Sequence, residues 1–351
     1  MKAICLYDAY DLRLDKLSEP SEPGAGEVLI RVGSIGVCGS DLHTYQDGHI
    51  GDTQLSSPIV LGHEFSGIVT AVGADARDGE NEALAIGQRV AVEPALPCWR
   101  CDKCEHGHPN LCRNLAFMGL SPDHGAMREY MIVPARNCFP LPDSLSLEEG
   151  ALLEPLGVAL HAVDLGKIHL ENRVVVQGCG LIGLMIMQLA KLSGANPLIA
   201  VDQFPWRLDA AKKSGADAVI NFKEQNAIDE VKKLTHGHGA EVVFEAAWAD
   251  ESIAEAIEIA DLGATVVLVG IPSADKVIFK HSTARRKGLT IKMVRRMKHT
   301  YPRAIQLATS GKLRFSELIS HRFDLEDAPE ALRMNSAYED NVLKVVVNLK
   351  I

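Results

Sequence analysis

Short runs rich in Val and Ile, each closed by Gly or Pro, fill the first third of the chain: residues 27–32 (EVLIRV), 65–72 (FSGIVTAV), 89–92 and 128–133. Their length and punctuation predict a β sandwich or barrel. From about residue 146 the period changes. Ser146 and Glu149 stand at capping-box spacing before the apolar run 151–165, which marks a helix start. An alternation follows, with strands at 173–177, 197–201, 218–221, 241–245 and 264–269 separated by helices at about 181–193, 205–214, 224–234 and 251–261. Strands spaced by helices of that length predict a doubly wound parallel sheet, and hence an α/β fold class. Beyond a helix after Pro302, the chain ends on LKVVVNLKI with no helix to follow. That ending predicts a return to the β region. The expected division is 1–155, 156–293 and a return segment 294–351.

Length and composition narrow the function. At 351 residues the chain is long for one compact domain, and 47% hydrophobic with 23% charged residues excludes disorder and collagen. Lys and Arg total 36 against 46 Asp and Glu, a net charge of −10. Neither a nucleic acid nor an anionic membrane suits such a surface, so the expected partner is a small molecule. The basic cluster Arg285, Arg286, Lys287, Lys292, Arg295, Arg296 and Lys298 lacks interleaved aromatics and reads as solvated strand edges. The acidic stretch 74–84 reads as a solvated loop. The start MKAICLYDAY has no uninterrupted apolar core for export, and the apolar run 174–192 is broken by Gln177, three glycines, Gln188 and Lys191. A cytoplasmic location is expected.

Val174-Val-Val-Gln then Gly178-Cys-Gly180-Leu181-Ile182-Gly183 places GxGxxG between a buried strand and an amphipathic helix. The first glycine allows the tight turn, the second lets a diphosphate approach, and the third lets helix and strand pack. Free N–H groups at the helix start then face the phosphates. The next strand ends at Asp202, nineteen residues past Gly183, where a carboxylate accepts ribose hydroxyls and repels a 2′-phosphate. The pattern predicts NAD rather than NADP. Arg207 is positioned for the adenosine end or for solvent.

Eight cysteines in a chain without an export signal point to metal before disulfides. Cys98, Cys101, Cys104 and Cys112 offer four thiolates from one loop, within a lobe at about 94–113. Four ligands leave zinc no open position, so this site is structural. A second set is dispersed: Cys38 in GVCGSDLH, His63 and Glu64 in GHEFSG, and Glu154 in EPLGVALHA. One thiolate, one imidazole and one or two carboxylates suit a catalytic zinc with room for substrate. Each of these residues taken alone also fits an ordinary buried or capping role.

Together they carry a resemblance. GVCGSDLH at 36–43, GHEFSG at 62–67, GQRVAVEP at 87–94, the four-cysteine lobe, EPLGVALHA at 154–162, GCGLIG at 178–183 and SHRF at 320–323 are similar to the zinc-dependent medium-chain dehydrogenases, and within them to the polyol (sorbitol, L-iditol) dehydrogenases. The resemblance covers the chain nearly end to end. It implies a GroES-like β domain completed by the C-terminal segment, with a Rossmann domain inserted, in a homo-oligomer that is a dimer or tetramer. It further implies NAD and two zinc ions per chain, one catalytic on Cys38, His63 and Glu64 and one structural. Glu154 would hold a zinc-bound water or reach the metal itself, leaving open whether it or Glu64 is the third ligand. Asp41 would orient the histidine, Ser40 and His43 would relay the proton, Val269, Gly270 and Ile271 would touch the nicotinamide, and Arg296 would contact substrate. Met297 and Thr44 depart from the family's aromatics.

The expected reaction passes hydride between NAD and a secondary hydroxyl of a polyol, giving a ketose reversibly. A butanediol-type secondary-alcohol dehydrogenase and an L-threonine 3-dehydrogenase are the alternatives. A non-catalytic NAD-binding protein is disfavoured because Cys38, His63 and the relay positions are all present.

Overall fold

The computed structural model describes residues 1–247, 249, 251–272 and 276–350, and divides into two units. One joins Met1–Pro155 to Tyr301–Ile351; the other is Leu156–Thr300. Residues 294–300, read from the sequence as the start of the return, are counted with the second unit. Ile351, the last residue of LKVVVNLKI, lies outside the described residues. No helix among them is long and apolar enough to cross a membrane.

The first unit is built on a seven-stranded sheet. Its path runs Cys138–Pro140, Arg89–Val92, Glu64–Val72, Glu27–Gly36, Lys344–Asn348 and Ile319–Asp324, with Tyr130–Pro134 also paired to Glu27–Gly36. A smaller sheet joins Asp11–Lys16, Lys2–Asp8 and Ile59–Val60. The returning Lys344–Asn348 strand lies antiparallel to Glu27–Gly36 and parallel to Ile319–Asp324, burying Val345, Val346 and Val347. The Glu27–Gly36 strand outruns the segment 27–32 read from sequence. Its first half alternates in burial but its end is buried throughout, so Gly33, Ser34 and Gly36 leave no period-two signal. The Ser146 capping box forms, with Glu149 N–H donating to Ser146 Oγ at 3.1 Å and Ser146 N–H to Glu149 Oε2 at 2.8 Å. It caps the short helix Leu147–Ala151; Leu153–Gly166 is a separate helix beyond Leu152.

The second unit holds a six-stranded, wholly parallel sheet in the order Ala218–Asn221, Leu198–Asp202, Val174–Gln177, Ala240–Glu245, Ala260–Leu268, Thr290–Met293. Strand order reverses beside Val174–Gln177, the switch point where open α/β sheets bind ligands. On one side Val175, Ile199, Val201, Val243 and Val266 pack against Ile253 and Ile259. The helix His281–Lys287 and the strand Thr290–Met293 have no counterpart in the alternation read from sequence. Both are exposed or only partly buried, so no apolar run announces them.

Candidate active site and metal centres

Cys38 stands at the N-cap of the helix Gly39–Asp47, and His63 and Glu64 at the start of the strand Glu64–Val72. Their Sγ, ring nitrogen and carboxylate oxygen lie within 4.8 Å of one another. His63 and Glu64 are buried, while Cys38 is partly exposed and leaves the cluster open on the thiol side. Bonds of ~2.0–2.3 Å from such a donor set fit one zinc ion, and three protein ligands leave a fourth position.

Asp41 organises this cluster. Its Oδ2 accepts the Cys38 N–H at 3.0 Å, and its Oδ1 accepts the Gly62 N–H at 3.3 Å and lies 3.4 Å from His63 Nδ1. That last contact is too poorly aligned for a hydrogen bond, but it remains a charge contact. Burial opposes ionisation of Asp41, yet His63 and the two N–H groups outweigh it and hold the carboxyl below its usual range. Burial likewise favours a neutral His63, and the charges of Asp41 and Cys38 outweigh it and lift the ring well above its ordinary value. With Nδ1 turned to a carboxylate, Nε2 is the atom left for a metal. Ser40 Oγ stands 3.4 Å from it. His43, buried on the same helix as Ser40, places Nδ1 3.5 Å from the carboxylate of Asp47.

Three further residues join the site without having been picked out in the sequence. Lys344 is buried, pairs with the Glu64 carboxylate and donates to Val37 O at 2.8 Å. Gly36 faces Glu64 across the strands, and a Cβ there would overlap the carboxylate, so a bare backbone lets Glu64 reach Lys344. A lysine inside the apolar run VLKVVV was the available signal, because a buried ammonium requires a partner. Tyr301 is fully buried and donates its hydroxyl to Val92 O at 2.7 Å; burial, then the charges of Glu154, Glu93 and Glu64, push its phenol well above the usual value. Glu93 is the third, its carboxyl pushed up by burial to about 7. Glu154, in the first turn of Leu153–Gly166, is buried and stands outside the three-residue cluster.

The lobe brings its four thiols together. Sγ–Sγ distances are 3.6 Å for Cys101–Cys104, 3.8 Å for Cys101–Cys112 and 3.4 Å for Cys98–Cys112. A tetrahedron with ~2.3 Å Zn–S bonds has edges of ~3.8 Å, so the lobe fits zinc. N–H groups of Cys98 and Asn114 point at Cys112 Sγ from 3.2 and 3.3 Å. Backbone N–H groups of Arg113 and Cys104 hold the Cys101 thiol down to about 6, while burial and the neighbouring thiols push Cys104 up to about 12. Arg113 clamps Asp102 with contacts of 2.6 and 2.9 Å, and Arg136 stacks 3.7 Å from the Trp99 ring centroid.

In the second unit the glycine turn has the shape a diphosphate needs. Gly178 adopts φ +89, a side chain at Gly183 would strike the Gly178 carbonyl, and a Cβ at Gly180 would meet open space. Gly180 is the N-cap of the helix Leu181–Leu192 and offers no capping side chain, so first-turn N–H groups at Leu181 and Ile182 remain for an anion. Asp202 Oδ2 accepts the Cys179 N–H at 2.7 Å, and Oδ1 accepts those of Gln203 and Phe204 at 2.7 and 2.9 Å. A carboxylate has about four acceptor positions, which leaves one for a ribose hydroxyl. Arg207 lies 5.2 Å from the Phe204 ring centroid. Val269 and Gly270 donate their N–H groups to Glu245 O at 2.7 and 3.0 Å, with Ile271 exposed beside them. Arg296 sits at φ +56, a left-handed conformation uncommon for arginine.

A dinucleotide turn and a Cys–His–carboxylate metal cluster in one chain define a metal-assisted nicotinamide oxidoreductase. Residues 24–143 match the alcohol dehydrogenase GroES-like domain and residues 182–310 the zinc-binding dehydrogenase family. Sorbitol dehydrogenase of Bacillus subtilis (strain 168) is 35% identical over 347 residues, covering 99% of this chain and 97% of that protein. Sorbitol dehydrogenase of Bos taurus is 39% identical over 332 residues, covering 94% and 91%. The crystal structure of galactitol-1-phosphate dehydrogenase from Escherichia coli superposes with a TM-score of 0.89 at 30% identity, over 99% of this chain and 100% of that one. The chain belongs to the zinc-dependent medium-chain alcohol dehydrogenase family, and it is a zinc- and nicotinamide-dependent oxidoreductase.

Proposed function

We propose that the chain exchanges hydride between NAD and a secondary hydroxyl of a polyol, interconverting sugar alcohol and ketose. The observation that carries this reading is the Cys38–His63–Glu64 cluster, a single thiolate supplemented by carboxylate, in a chain similar to sorbitol dehydrogenases along nearly its whole length. Zinc held by Cys38, His63 and Glu64 would supply Lewis acidity that lowers the pKa of the reacting hydroxyl. Asp41 fixes the His63 ring, and Lys344 fixes the Glu64 carboxylate. Ser40 Oγ takes the hydroxyl proton and passes it to His43, whose Nδ1 faces the half-exposed Asp47. Glu154 and Arg296 hold neighbouring hydroxyls.

NAD is held by its diphosphate at Gly178, Gly180, Leu181, Ile182 and Gly183, by its ribose at Asp202, near adenosine by Arg207, and at the nicotinamide by Val269, Gly270 and Ile271. The negative charge of Asp202 disfavours a 2′-phosphate, which supports NAD over NADP. Cys98, Cys101, Cys104 and Cys112 hold the structural zinc. The enzyme works in the cytoplasm, where eight cysteines without a disulfide suit a reducing environment. It assembles as a homo-oligomer, dimer or tetramer; the outer strand Thr290–Met293, with Ile291 and Met293 exposed, supports a self-association surface.

The test is a substrate panel on zinc-replete protein, with NADH formation followed by absorbance. Sorbitol, xylitol and L-iditol are expected to give the highest kcat/KM. Butane-2,3-diol or L-threonine exceeding all three by about tenfold would replace the polyol reading.

A further inference from the structure

Glu93 directly follows the strand Arg89–Val92 and has no role in the chemistry above. That strand runs antiparallel to Glu64–Val72, with Phe65 opposite Val92. One step further, the same register sets Glu93 beside Glu64, and directly opposed residues project to the same face. The backbone there is pinned: Glu93 N–H donates to Asn137 O at 2.8 Å, and Asn137 Nδ2 donates back to Glu93 O at 2.7 Å. Glu93, Glu64 and Glu154 each act electrostatically on the buried Tyr301 phenol.

Their partners differ. Glu64 is answered by Lys344. Tyr301 has a single proton and commits it to Val92 O, so it serves none of the three carboxyls as donor. No described residue places a donor within hydrogen-bond distance of the Glu93 carboxyl, and its side chain is only partly exposed. The position is therefore partly exposed, beside the backbone of a zinc ligand, and short of a donor.

We propose that Glu93 is a substrate-contacting specificity residue, accepting a hydrogen bond from a polyol hydroxyl other than the one oxidised. The inference rests on the polyol reading. A polyol brings the donor that the protein lacks there. An apolar secondary alcohol would cover the carboxyl without satisfying it, and a site built to bond a hydroxyl rejects an analogue lacking one.

The experiment compares xylitol with 2-butanol in wild type and Glu93→Gln, alongside zinc content, melting temperature and NADH affinity. The ratio of kcat/KM for xylitol over that for 2-butanol should fall about tenfold, through KM, with the other three readouts unmoved. Glu93→Asp, which keeps the charge but withdraws it by one methylene, should fall between; if Glu93→Gln does not fold, the aspartate variant alone must show the split. Equal losses on both alcohols, or loss of zinc, would assign Glu93 a structural role, and an unchanged ratio would remove the contact. A wild type that does not favour xylitol over 2-butanol would overturn the polyol reading itself.

Discussion

The two metal clusters of the first unit are assembled in opposite ways. In the lobe, ligands and supporting groups are neighbours in sequence: Cys98 to Cys112 with N–H donors from Cys98 and Asn114. In the other cluster, Cys38 comes from one turn and the adjacent His63 and Glu64 from another, and Lys344 anchors Glu64 from 280 residues away. A short loop has little core of its own, so its shape depends on the ion. The dispersed cluster is shaped by the sheet whether or not an ion is present. One site is a staple, and the other is a socket.

The sharpest break between them comes from removing one thiol from each. Cys38→Ser should cost one zinc per chain and cut turnover by roughly a thousandfold or more, with melting temperature and NADH binding nearly unchanged. Cys112→Ser should also cost one zinc, but the loss should appear as a lowered melting temperature and protease cleavage within 98–112, while the surviving fraction turns over. Metal analysis with calorimetry separates these outcomes. A Cys112→Ser chain that keeps its melting temperature and loses turnover would erase the distinction.

Lys344→Met probes how far the socket depends on its distant anchor. Deleting one member of a buried ion pair leaves the other charge uncompensated where no metal answers it, at a cost of about 3–5 kcal/mol in the zinc-free protein. Chemical denaturation should record that loss, and activity should fall because Glu64 is no longer held. A variant within about 1 kcal/mol of wild type would show that Glu64 finds another partner. Asp41→Asn should act more weakly, since the ring loses its charge partner but not its place. Zinc affinity at the catalytic cluster should drop about 10- to 100-fold, measured by chelator competition, with lobe zinc unaffected.

The same contrast explains what could be read from the sequence. The cysteine spacing and GCGLIG were legible because ligands and turn are contiguous, and the parallel sheet because its strands are apolar runs. Cys38, His63 and Glu64 stood out only through the motifs around them. Lys344, Tyr301 and Glu93 did not, because packing between segments distant in sequence brings them there, as Lys344 meets Glu64 and Tyr301 meets Val92. The strand Thr290–Met293 was missed for lack of burial, and the end of Glu27–Gly36 because it is buried on both faces. Burial patterns reveal half-covered elements best, and both cases lie outside that range.

The smallest effect concerns thiol chemistry in the lobe. Held down to about 6 by backbone N–H groups, Cys101 should be mostly thiolate at neutral pH once metal is stripped. An ordinary cysteine, at about 8.5, is only a few per cent ionised there. The advantage in thiolate fraction, about thirtyfold, is largely offset because nucleophilicity falls as pKa falls, by roughly tenfold here. Alkylation of Cys101 by iodoacetamide should thus outpace a reference peptide by only about two- to threefold at pH 7. The sign of the pH dependence is the sharper test. Below pH 7 the reference thiolate falls tenfold per unit, whereas Cys101 falls steeply only below about 6, so at about pH 5.5 its lead should widen to tenfold or more. Mass-spectrometric mapping after a short pulse in chelator measures this, with the buried Cys5, Cys138 and Cys179 reacting last. A lead that stays constant across that range would mean the N–H groups do not hold the thiolate without metal, and the lobe would then owe even its donor geometry to the ion.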